Sequence, residues 1–93
     1  MTKQENEFNL LKGTFTGADT REILVTLLRD KMRFHGQKSF NHEVRFGKPD
    51  PIAEERILEL KKTLGEVLNF IENYDESKFE IYADVKVKML SND

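Results

Sequence analysis

Chemistry would arise most readily in residues 29–48. Arg29, Lys31, Arg33, Lys38, Arg45 and Lys48 stand there against only Asp30 and Glu43, six cations to two anions. The whole chain has 15 Lys and Arg against 17 Asp and Glu, so the remainder holds nine cations to fifteen anions. His35 and His42 lie in the same stretch, interleaved with Phe34, Phe40 and Phe46. Clustered cations neutralise phosphates, and exposed aromatic rings stack on bases. Arg29, Arg33, Lys38, Arg45 and Lys48 are therefore candidate contacts for nucleic acid or another anionic ligand. The plainer reading is a solvated helix end, where the helix dipole favours cations, with the phenylalanines anchoring a connection to the core. Exposed rings favour binding, and buried rings favour the plainer reading.

Other residue types carry less. His35 follows Leu28 by seven residues and Leu24 by eleven, on an apolar face, which suits a buried hydrogen-bonded histidine better than a proton-transfer group. The spacing of His35, His42 and Glu43 matches no compact helical metal pair. Glu54, Glu55 and Glu59, like Glu72, Asp75 and Glu76, read as solvated helix faces and ends. Ser39, Ser77 and Ser91 have no nucleophile context. The five glycines are scattered, so no loop cradles phosphate. No cysteine is present, which excludes disulfides and thiolate metal sites. No catalytic residue, metal or cofactor is expected, and the chain reads as a non-enzyme.

The elements that must position these residues are legible from periodicity. Residues 1–7 are polar and are expected to be disordered. Phe8 to Phe15 reads as a short, imperfect strand, with Leu11 and Phe15 on one face and Phe8 and Leu10 on the other. Thr16 and Asp19 form a T-x-x-D capping box. Ile23, Leu24, Leu27, Leu28 and Met32 then trace one helical stripe, predicting a helix from about Gly17 to Phe34 or a little beyond. Gly36 either ends that helix or weakens it. Residues 36–49 show no clean period and are expected to form an ordered connection packed through Phe40, Val44 and Phe46.

Asp50 as N-cap and Pro51 at the first helical position start a second helix, expected to reach Tyr74. Ala53, Ile57, Leu60, Leu64, Val67, Ile71 and Tyr74 recur at alternating steps of four and three, a heptad seam. Leu68 and Phe70 widen it. From Phe79 to Met89 the chain alternates strictly. Phe79, Ile81, Ala83, Val85, Val87 and Met89 fall on one face, and Glu80, Tyr82, Asp84, Lys86 and Lys88 on the other. Helix and strand each span about 36 Å, long enough for the strand to cover the whole seam.

The reading is a single α+β domain over 1–93, in the order β-α-α-β, with an antiparallel helical hairpin packed on an antiparallel sheet. A chain of 93 residues buries only a small core. A two-stranded sheet is marginal alone and leaves open edges. A homodimer answers both difficulties, with Ile57, Leu60, Leu64, Val67, Ile71, Val85 and Val87 as candidate self-association residues. A second protein captured by the seam is a further possible partner.

Phe34-His35, Arg45-Phe46-Gly47-Lys48, and Phe8-Asn9-Leu10 with Gly13-Thr14-Phe15 resemble motifs of a group of small bacterial proteins of unknown function from Bacteroidetes-type genomes. The resemblance spans most of the chain and is best from the first helix to the second. It implies a bacterial protein and transfers no functional residue. The N-terminus, MTKQENEFNLLKG, has no apolar core of signal-peptide length, so a cytoplasmic location is expected. The composition offers no membrane span.

Overall fold

The computed structural model describes residues 4–74 and 76–90. The architecture is α+β in the order β-α-α-β: β1 (Gln4–Thr16), α1 (Gly17–Phe46), α2 (Pro51–Glu72) and β2 (Lys78–Met89). The two strands form one antiparallel ribbon, and the two helices form an antiparallel hairpin. Gln4 to Glu7 belong to β1 and pair with Met89 to Lys86, so the expected disorder of residues 1–7 does not hold from Gln4 onward. Residues 1–3, Asp75 and Ser91 lie outside the described residues.

The first helix starts as its capping residues require. The Asp19 backbone N–H donates to Thr16 Oγ1 at 3.1 Å, while Thr16 itself still pairs with Lys78 at the base of the ribbon. The helix then runs through Gly36 to Phe46 rather than stopping near Phe34. Residues 36–46 are helix, not a connection. Their inward row is polar: His35 and His42 are half-buried and Ser39 is buried, and this is why no apolar period marks them. Phe40, Val44 and Phe46, expected to anchor a connection, point outward with 63%, 69% and 64% of their surface exposed.

The turn between the helices is short and held from α1. Gly47 takes the left-handed conformation, φ 81°, and its N–H donates to Glu43 O at 2.8 Å. A residue with a Cβ pays about 1–2 kcal/mol for that conformation. The His42 ring, through Nδ1, hydrogen-bonds the Lys48 carbonyl at 2.8 Å. The Asp50 backbone N–H donates to Ser39 Oγ at 3.2 Å. Asp50 in turn caps α2, accepting from the Ile52 N–H at 3.0 Å.

The α2 seam is spent on α1. Ala53, Leu60 and Ile71 are buried, and Ile57, Leu64, Val67 and Leu68 are half-buried. Opposite them on α1 lie half-buried Leu24, Leu28 and Met32. The ribbon does not lie along this seam. No Cα of α2 comes within 8 Å of a Cα in either strand. Ribbon and hairpin meet only at the ribbon's base, where Ile81 is buried and the Phe70 and Phe79 rings lie edge to face at 6.0 Å.

A bulge re-phases β1. Asn9 pairs with Asp84 and Leu11 with Ala83, leaving Leu10 without a partner. Phe8 therefore sits opposite Val85, on the same face as Leu11, Gly13 and Phe15, and not on the other face as strict alternation implied. Farther down that face the Phe15 ring covers Gly13, whose added Cβ would stand 3.3 Å from it.

Two glycine substitutions have opposite expected signs. Gly47→Ala lowers stability by about 1 kcal/mol, because alanine resists positive φ. Gly65→Ala raises it by up to about 1 kcal/mol, because Gly65 lies inside α2 with nothing within 4 Å of an added Cβ. Urea unfolding midpoints measured on the two variants check both.

Candidate functional site

The six basic residues of 29–48 sit on α1 or just after it, so helix geometry decides which can act together. Lys38 follows Arg29 by nine residues and Arg33 by five, which places them about 180° and 140° apart around the helix. Arg29 and Arg33 thus cannot share a surface with Lys38 and Arg45. Arg29 lines a shallow cleft with Ala18, Arg21, Val25 and Leu68. Lys38 lines another with His35, Ala53 and Arg56. Arg33 is also engaged, forming an exposed ion pair with Asp30 at 3.4 Å. The five candidates fall into two groups, with Lys48 on the turn.

One group gains a member that the sequence reading left out. Lys31, Lys38 and Arg45 recur at steps of seven, which brings them to within about 40° of one another around the helix. Phe34 lies on the same side, and Lys38 Nζ stands 5.4 Å from its ring centre. Arg45 stands 5.9 Å from the Phe46 ring, which also packs against His42 at 4.7 Å. Among the described residues these three cations have no carboxylate partner. Phe34, Phe40 and Phe46 are all exposed, the condition that favours binding. The signal for Lys31 was present as a heptad step, but only a helix continuing past Gly36 gives that step meaning.

The histidines do not converge. His35 and His42 are two turns apart, about 10.5 Å along the axis, and cannot share a metal ion with ligand bonds near 2 Å. His42 is tied to the turn. His35 is half-buried, with Nε2 buried and without a hydrogen-bond partner and its ring edge-on to Phe34 at 5.3 Å. It borders the cleft holding Asp50, Arg56 and Glu59. Those groups already serve each other or the backbone: Asp50 caps α2, and Arg56 pairs with Glu59 at 3.3 Å. Among the described residues Thr20 is the other buried polar side chain lacking a partner.

The self-association candidates separate equally clearly. Ile57, Leu60, Leu64, Val67 and Ile71 turn toward α1, and Leu60 and Ile71 are buried there. Val85 and Val87 sit on the ribbon face beyond the helices, 40% and 51% exposed. Phe8 and Met89 on the same face were missed, Phe8 because the bulge moved it there. The opposite face of the ribbon is finished with polar contacts. Lys88 pairs with Glu5 at 3.5 Å, Asn9 Nδ2 donates to Asp84 Oδ1 at 3.0 Å, and Glu7 stands across from Lys86.

Tyr82 donates to Glu80 on that wet face at 2.6 Å. No protein-family model, curated protein or solved structure matches this chain. Among the described residues no helix is long and apolar enough to cross a membrane.

The Tyr82–Glu80 contact has a measurable consequence. Ionising the phenol removes a donated hydrogen bond and sets two negative charges side by side, so Tyr82 is held above its ordinary value near 10. In Glu80→Gln the Tyr82 transition moves back down toward 10. Ultraviolet titration of phenolate absorbance, compared between the parent and Glu80→Gln, reads the change.

Proposed function

We propose that this chain is a small, non-enzymatic interaction or structural module of the bacterial cytoplasm whose working unit is a homodimer. One observation supports the reading above the others: the chain folds as a single layer. Its Cα trace spans 48 × 37 × 14 Å, with a radius of gyration of 17.1 Å. A globular chain of this length has a radius of gyration near 12 Å. Domains bury a core between two packed layers, and here the second layer is absent.

The surface area agrees. The accessible surface is 7665 Å² for 10.9 kDa. A monomeric protein of that mass exposes about 5,600 Å², leaving a surplus of about 2,000 Å². Two copies burying that surplus form an interface of about 4,000 Å² in total, within the range of obligate homodimers. Sedimentation velocity over a wide concentration range tests the proposal. The expected result is a species near twice the chain mass that persists on dilution. A monomer at the highest concentration overturns it.

The stripe of Lys31, Phe34, Lys38 and Arg45 favours a second reading, binding of a single-stranded nucleic acid or similar polyanion. Three phosphate contacts give a slope of log K against log salt near −2, whereas five would give about −3.5. In an anisotropy titration with a labelled oligonucleotide, Lys38→Ala/Arg45→Ala abolishes binding and Arg29→Ala/Arg33→Ala leaves it nearly unchanged. Equal effects from the two pairs, or no binding at low salt, overturn this reading.

A further inference from the structure

We infer that the second copy docks on the apolar face of the β ribbon beyond the helices, around Phe8, Val85, Val87 and Met89, and that it presents the same face in return about a two-fold axis. The inference rests on the dimer reading and adds the surface to it.

The ribbon's two faces have different chemistry. One carries the Lys88–Glu5 pair, the Asn9–Asp84 hydrogen bond and the Glu7–Lys86 pairing, as a solvent-facing surface should. The other runs from Phe15 and Phe79 through Ile81, Leu11 and Ala83 to Phe8, Val85, Val87 and Met89, with Asn6 and Gln4 across from the last two. At its base this face is buried or half-buried beside the helices. Past Ala83 it is bare, with Phe8 at 53% and Met89 at 56% exposure.

Three arguments select this surface among the exposed apolar side chains. A helix satisfies its own backbone, but a two-stranded ribbon in water needs something packed behind it. The ribbon stays paired out to Gln4 and Met89, well past its own helices. The bulge at Leu10 then adds Phe8 to the apolar side just where cover from the same chain ends, setting a large aromatic beside Val85. Finally, the surplus area of the whole chain is what points to a second copy as the occupant. The face is continuously apolar along β2, while β1 adds Phe8 and then Asn6 and Gln4; under a two-fold rotation the Val85, Val87 and Met89 row and Phe8 of each copy meet, and two such faces pack about 10 Å apart as a sandwich. That sandwich is the missing second layer.

The test compares sedimentation of the full chain with that of variants at equal concentration. Val85→Lys/Val87→Lys is expected to sediment as a monomer while keeping the helical circular dichroism of the parent. Ile52→Lys and Leu58→Lys, on different sides of α2, are expected to stay dimeric. A Val85→Lys/Val87→Lys protein that remains a dimer overturns the inferred surface while leaving the dimer standing. Dissociation by either α2 variant also overturns it, because the hairpin would then form the contact. A monomeric parent chain overturns the dimer itself. If the double variant loses its helical signal, Met89→Lys at the far end of the ribbon decides. A dimer weakened at least tenfold upholds the surface, and an unchanged one overturns it.

Discussion

The constraint on which the structure depends is that two helices side by side bury only the seam between them. Leu60, Ile71 and Ala53 are buried because they lie on that seam. Other residues along it, such as Leu28, Met32 and Leu64, and Leu68 beside it, stop at half-burial. Closing such a seam further takes another layer, and in this chain the ribbon does not supply one. It leaves the hairpin at the Thr16–Gly17 junction and returns at Lys78, touching the helices only there. Among the described residues the core therefore holds four buried hydrophobic side chains, Ala53, Leu60, Ile71 and Ile81.

What holds the hairpin in register at its other end is polar. Ser39, His42, Gly47 and Asp50 together satisfy the backbone groups of a four-residue turn. This clamp is why the inward row of the second half of α1 is built from Ser and His rather than Leu. It also turns Phe40, Val44 and Phe46 out to solvent. The same arrangement sets the electrostatics. Once residues 29–46 are one helix, its cations divide between opposite sides, and the apparent cluster becomes a narrower stripe of Lys31, Lys38 and Arg45 beside Phe34.

The ribbon carries a second division, between a face finished with cross-strand ion pairs and hydrogen bonds and a mostly apolar face. Cross-strand charge pairs in water contribute little stability each. Their value here is orientation, since they mark which side faces solvent. The bulge at Leu10 acts in the same sense by moving one large aromatic to the apolar side. A surface built this way suits assembly, in which the energy missing from a thin monomer comes from a partner.

Much of the fold was legible in the residues themselves. Thr16 and Asp19, Asp50 and Pro51, the heptad steps from Ala53 to Ile71, and the strict alternation from Phe79 to Met89 encode local geometry, because caps and periodicity act over a few residues. They determined the order β-α-α-β and the starts of both helices. Three features depended on contacts between distant residues. The continuation of α1 through Gly36 rests on a polar inner row that hydrogen-bonds the turn and the start of α2, so no hydrophobic period could announce it. The extension of β1 to Gln4 rests on pairing with β2, which polar residues accept as readily as apolar ones. The placement of Phe8 rests on a bulge, whose single unpaired residue is defined only by the register of the opposite strand. For the candidate site, the residue types were visible from the start, but which cations share a side was decided by a helix whose length only the tertiary structure sets.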